Sequence, residues 1–245
     1  MPPTIARDRE IDQVLAVVHM WDSPAVPLIV GEPGSGKTNL LFGLSKKARS
    51  LGLQKRFLVL DVAKLITEYN LPGQAERGFC KILEELEGQP DTMLAVDGLD
   101  ALLAVCSLKD AVLQRLADFR VPAVATALPA FLHVVDSPAI RRRYLPVVLE
   151  ELSCEQTKQV LLALRSLLER HHHLRIPETM VELCVRLSLR KPGVLPGKSV
   201  ELLDLACAEL AQKRGEVLTP DDLVAAANRG GFPSEEDGND KWETD

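Results

Sequence analysis

An α/β domain with a mostly parallel sheet, followed by a smaller helical domain, is the fold class this sequence predicts. Three observations lead there. Short apolar runs, "PLIV", "RFLVLDV", "TMLAVDG" and "VPAVATAL", alternate with helix-patterned segments up to about Glu150. A glycine-rich octet, "GEPGSGKT", stands between the first run and a helix-patterned stretch. After Glu150 the sequence reads as consecutive helices. Strands that alternate with helices need right-handed crossovers, which cover both faces of a parallel sheet with helices.

Taken in order, residues 9–20, "REIDQVLAVVHM", place Ile11, Val14, Leu15 and Val18 at helical spacing. "PLIV" is the first strand, the glycine-rich octet its exit loop and "NLLFGLSKKARSLG" the helix that follows. The next three apolar runs are strands two to four, and "YLPVVLEEL" adds a fifth. Beyond Glu150, "SCEQTKQVLLALRSLLERHHHLRI", "PETMVELCVRLSLR", "KSVELLDLACAELAQKRG" and "TPDDLVAAANRG" read as helices. Ser153, Pro177 and Thr219-Pro220 are their start signals, Gly215 and Gly230 their stops. The boundaries that result are 1–150 for the α/β domain, 151–232 for the helical domain and 233–245 for an acidic tail. That tail has little to bury and is expected to be disordered.

Bulk properties narrow the class. A chain of 245 residues, 46% hydrophobic and 26% charged, can bury a real core and has an ordinary globular composition. A formal net charge of -6 speaks against broad nucleic-acid binding. No apolar run reaches the length of a membrane span, and the N-terminus lacks the apolar core of a secretory signal. The five cysteines are scattered, with no C-x-x-C pair. Buried free thiols in a reducing compartment, and hence a cytoplasmic location, are the expectation.

Gly31 to Thr38 fits the full pattern G-x-x-x-x-G-K-[ST] and has the context that pattern requires, a preceding strand and a following helix. Each residue type has a mechanical reason. Glycines let the backbone curl until successive N–H groups face one anion. The helix N-terminus adds its positive end, the lysine reaches the β- and γ-phosphates, and the hydroxyl of Thr38 ligates Mg²⁺. The candidate phosphate contacts are Gly31, Glu32, Pro33, Gly34, Ser35, Gly36, Lys37, Thr38 and the flanking Asn39. Such a loop needs an acid at the end of a neighbouring strand to hold the metal. Asp97, after "MLAV", is that residue.

With these motifs in place, the chain resembles the first ATPase module of the Clp-type AAA+ unfoldases and disaggregases from Thr4 to Phe232. The matching segments, in order, are "IARDREIDQVL", "GEPGSGKTNLLFGLSKK", "AIRRRYLPVVLEELSCEQT", "LLERHHHLRIPETMVELCVRLS", "LPGKSVELLDLACAEL" and "LTPDDLVAAANRGGFP". The resemblance implies a P-loop AAA+ domain with a helical lid, ATP or ADP with Mg²⁺ as ligands, and a site shared with the next subunit of a ring. It also assigns roles. Ile5 becomes the adenine contact, Lys198 a basic residue near the phosphates, and Arg142 and Arg143 the arginine fingers offered in trans to a neighbour's γ-phosphate.

Several positions depart from the family. Gly98 stands where the family has the Glu that polarises the attacking water. Asp100 is close in sequence, but its carboxylate is expected to point elsewhere. Ala127 occupies the place of a water-positioning hydroxyl, with Thr126 just before it. The channel loop "ITEYNLPGQAER" keeps Tyr69, but Asn70, Leu71 and Pro72 replace its basic residue and glycine, so a Tyr69 that does not grip substrate is expected. His171, His172 and His173 fan out around a helix and make a poor metal site. The expected function is an ATP-binding module with weak or absent hydrolysis. It would be a nucleotide-dependent scaffold or regulatory subunit that meets protein partners as a homo-oligomer, such as a hexameric ring, or as a hetero-assembly with a related ATPase. The alternative is an active unfoldase with a substituted acid.

Overall fold

The computed structural model describes residues 4–20, 25–52, 55–69, 71, 73–89, 91–134 and 137–231. The acidic tail expected at 233–245 lies outside them, as do Asn70 and Pro72 of the altered loop. Contacts divide the chain into two units. One takes Arg7–Glu32 and Lys37–Glu150; the other takes 151–231, with residues 4–6 and Pro33–Gly36.

The first unit runs α1 (Asp8–Val18), β1 (Val26–Val30), α2 (Lys37–Ser50), β2 (Arg56–Asp61), α3 (Val62–Glu68), α4 (Gln74–Glu87), β3 (Thr92–Asp97), α5 (Leu99–Val105), α6 (Lys109–Ala117), β4 (Ala123–Ala127), α7 (Phe131–Val134), α8 (Pro138–Arg141) and β5 (Tyr144–Val148). The five strands form one parallel sheet in the order β2-β3-β4-β1-β5. The central strands β1 and β4 are buried along their whole length, as parallel strands covered on both faces must be.

Strand periodicity sorts their side chains into two cores. Leu28, Val30, Leu94, Val96, Ala125 and Ala127 pack with Phe79, Leu83, Leu99 and Leu102 on one side. Ile29, Met93, Ala95 and Val124 pack on the other, against Ile11, Val14 and Leu15 of α1 and Leu40, Leu41 and Leu44 of α2. Each fully buried side chain of this size contributes about 1.5–3 kcal/mol. The same period fixes the functional residues. Asp97 lies two residues after Ala95, and Thr126 two after Val124, so both belong to the face that α2 covers. Ala127 belongs to the opposite face.

Polar contacts tie α1 in place. Arg7, almost fully buried, donates to Glu10 Oε1 at 2.9 Å and to the Glu150 carbonyl at 2.8 Å. Lys47 of α2 pairs with Asp12 of α1 at 2.6 Å.

The second unit holds α9 (Cys154–His172), α10 (Glu178–Ser188), α11 (Gly197–Gln212) and α12 (Pro220–Arg229). Their starts are where the sequence signals them. Ser153 and Thr219 each close a capping box, with Gln156 and Asp222, and Pro177 precedes α10. Leu161, Ile176, Val181, Leu202, Leu203 and Leu223 form its core, with Cys184 and Cys207 among them. All five cysteines are free thiols; Cys106, Cys184 and Cys207 are buried, Cys80 half-buried and Cys154 exposed. Burial pushes the Cys184 and Cys207 thiols up to about 12, which suits packing rather than reactivity. No helix among the described residues is long and apolar enough to cross a membrane.

Candidate functional site

The glycine-rich loop joins β1 to α2. Gly34 and Gly36 have φ of +84° and +96°, backbone that glycine adopts without the steric cost a Cβ brings. Gly31 N donates to the Ala127 carbonyl at 3.3 Å, which fastens the start of the loop to the end of β4. The Lys37 ammonium donates to the loop carbonyls of Gly31 at 2.7 Å and Glu32 at 3.0 Å. Burial lowers the Lys37 pKa below its ordinary value, and the charges of Asp100, Asp97 and Glu32 oppose that shift.

The end of β3 brings the acid to this loop. Thr38 Oγ1 donates to Asp97 Oδ2 at 2.8 Å. The other carboxylate oxygen, Oδ1, accepts from Thr126 Oγ1 at 2.6 Å. Thr126 in turn accepts from Gly98 N at 2.9 Å and is fully buried. Asp97 is therefore fixed from both sides, with Thr38 on one oxygen and Thr126 on the other. Immediately after it, Gly98 has φ +94° and ψ 46°, a left-handed turn that opens α5.

Asp100 sits in the first turn of α5, and its negative charge, like that of Asp97, favours the charged form of Lys37.

The two finger candidates differ. Arg143 is turned into its own unit, donating to the Ala117 carbonyl at 2.6 Å and pairing with Asp118 at 2.9 Å. Arg142 is exposed at the end of α8. Tyr69 leans on α4: a Cβ added to Gly78 would lie 2.8 Å from Tyr69 Cε2, so the glycine makes the seat for the ring. In the helical unit, Lys198 is largely buried, with Nζ 3.7 Å from the Glu151 carboxylate. Ile5 groups with that unit too and is half-buried. His172 bonds Asp204 at 2.7 Å, which joins α9 to α11.

Sequence reasoning passed over three of these features. Thr126 as the partner of Asp97 is recoverable from strand parity, because Val96 pairs with Ala125 and the next step sets Asp97 beside Thr126. The seat at Gly78 and the anchor at Arg7 have no one-dimensional signal.

Comparison with known proteins fits this geometry. The AAA lid domain family matches residues 153–229. Across both units the chain is 28% identical over 224 residues to the chaperone protein ClpB of Aquifex aeolicus, with 85% of this chain aligned. The chain is similar to the Clp-type AAA+ proteins. The ATP-dependent Clp protease ATP-binding subunit ClpE of Bacillus subtilis is 28% identical over 220 residues, 83% of this chain. Among solved structures, Hsp104 with ATPγS and FITC casein superposes with a TM-score of 0.79 at 25% identity over 94% of the chain. The Saccharomyces cerevisiae Hsp104–ADP complex gives 0.81 over 98% of the chain at 23% identity, a likeness of fold. The chain spans only 22% of that ClpB, 31% of ClpE and 44% of the Hsp104 chains.

Proposed function

We propose that the chain is an ATP-binding AAA+ module with weak or absent hydrolysis, acting with protein partners as a nucleotide-dependent scaffold or regulatory subunit. One observation carries the reading. The metal-holding acid is kept and oriented, with Asp97 between Thr38 and Thr126, while the next position is Gly98 in left-handed backbone with no side chain at all.

The donor set suits a nucleotide with Mg²⁺. Gly31 to Thr38, with Asn39 at the start of α2, would hold the phosphates, and Lys37 would exchange the carbonyls of Gly31 and Glu32 for phosphate oxygens. Thr38 and Asp97 would hold Mg²⁺, whose chemistry when bound is to neutralise charge on the β- and γ-phosphates. Thr38 gives its single proton to Asp97, so its lone pairs stay available for a cation. Position 98 offers no carboxylate to take a proton from an attacking water. A positioned base contributes about 10²- to 10⁴-fold, so its loss leaves ATP bound for long periods. Ile5 and Lys198 are assigned to the adenine and phosphate ends by the family resemblance. Arg142, exposed on α8, is the finger this chain would present to a neighbour, and Arg143 holds that segment in place. ATPγS, named with the solved Hsp104 structure at 25% identity, supports the same ligand class.

A second reading has its own observation. Asp100, in the first turn of α5 three residues after Asp97, is a carboxylate whose charge favours the charged form of Lys37, and this reading makes the chain an active ATPase with Asp100 as the substituted acid. Nucleotide binding, phosphate release and mass with and without ATP, measured on one sample, separate the two. Tight binding and ATP-dependent assembly with background phosphate release support the first reading. Turnover that Asp100→Ala abolishes supports the second, and absence of ATP binding sinks both.

A further inference from the structure

We infer that Thr126 is a positioning residue that sets the orientation of the Asp97 carboxylate toward Mg²⁺. The inference rests on the nucleotide reading above and deepens it.

The hydrogen bonds have an unambiguous direction. Gly98 N can only donate, so Thr126 Oγ1 accepts from it at 2.9 Å. The one proton of the hydroxyl then goes to Asp97 Oδ1 at 2.6 Å, the short distance of a charge-assisted bond. With that proton committed, Thr126 has none left to offer a water. Ala127, one residue on, has no hydroxyl and packs into the core of the other sheet face. The two positions at the tip of β4 are thus assigned: 126 serves the acid, and 127 serves packing.

Asp97 needs such a partner. The terminal torsion of an aspartate is broad, so a carboxylate held by Thr38 alone can rotate about that bond. Thr126, fully buried on β4 between β1 and β3, is held by the sheet itself. Its grip on Oδ1 leaves Oδ2 directed at Thr38, the other residue that would touch the cation. Partners of this kind behind a metal ligand change metal affinity by about 10- to 100-fold.

The test is a Mg²⁺ titration of the whole chain at a fixed concentration of a fluorescent ATP analogue, repeated in EDTA. Thr126→Val keeps the shape and removes both hydrogen bonds. We expect its Mg²⁺ midpoint to rise about 10- to 100-fold while nucleotide affinity in EDTA stays at the wild-type value. Thr126→Ser, which keeps the hydroxyl, should titrate close to wild type. If the valine variant fails to fold, Thr126→Ala carries the same prediction. An unshifted midpoint overturns the inference, as does an equal loss of affinity with and without Mg²⁺. A wild-type chain with no Mg²⁺-dependent binding overturns the nucleotide reading along with it.

Discussion

Replacing Gly98 by alanine isolates the backbone conformation on which the account of this site depends. The residue has φ +94° and ψ 46°. A Cβ placed there meets only Val62 Cβ at 3.8 Å and Ala101 Cβ at 3.9 Å, ordinary contacts, so packing is close to neutral and the backbone decides the sign. Left-handed backbone costs an L-residue about 1–2 kcal/mol. Alanine offsets about 0.4–1 kcal/mol of that by restricting the unfolded chain. The net expectation is a loss of roughly 1 kcal/mol, which shifts Tm by about 2–4 °C in a chain of this size. Gly88→Ala is the control. There φ is -80° and nothing lies within 4 Å of the added carbon, so the same substitution should stabilise by about 0.4–1 kcal/mol. Urea midpoints at constant m-value report both. A Gly98→Ala variant at least as stable as wild type would refute the left-handed turn. Gly98→Glu meets the same backbone cost and should lose stability in the same direction.

Other outcomes follow from the same geometry. Gly78→Ala drives a Cβ to 2.8 Å from the Tyr69 ring and should cost about 1–3 kcal/mol; Tyr69→Ala in the same chain should recover part of it, seen as non-additivity in a double-mutant cycle. Arg142→Ala should leave stability within about 0.5 kcal/mol, whereas Arg143→Ala, losing Ala117 and Asp118, should cost roughly 1 kcal/mol after solvent screening; denaturant titrations distinguish them. In the helical unit, burial pushes the Glu169 carboxyl up, but bonds from Ile176 N and Arg165 outweigh it and hold the pKa below its ordinary value. A depressed folded pKa gives stability that is present above the unfolded value and lost as pH falls through the folded one. Glu169→Gln should therefore flatten the fall in stability below about pH 4.5, measured by denaturation across pH.

Much of the fold is legible in the sequence because its signals are local. The five apolar runs are the five strands, and the caps at Ser153 and Thr219 stand at the helix starts they announce. The loop at Gly31–Thr38 and the acid at Asp97 are legible for the same reason: a fixed pattern and a strand end place them. What escapes is decided by neighbours distant in the chain. Arg142 and Arg143 are alike in sequence, and only the approach of α6 turns the second one inward. Tyr69 has its fate set by a glycine on another helix. The left-handed backbone at Gly98 is a conformation that one letter cannot announce. Thr126 lies between these cases, since the strand period and the pairing of β3 with β4 together suffice to place it.

The central claim is that ATP enters this site and keeps its γ-phosphate. Its most direct test is the identity of the bound nucleotide: load the chain with γ-labelled ATP and Mg²⁺, remove the excess, and follow the label on the protein over hours. The account predicts that bound ATP persists intact, with label released no faster than from ATP in buffer. Prompt conversion to ADP on the wild-type chain would contradict it.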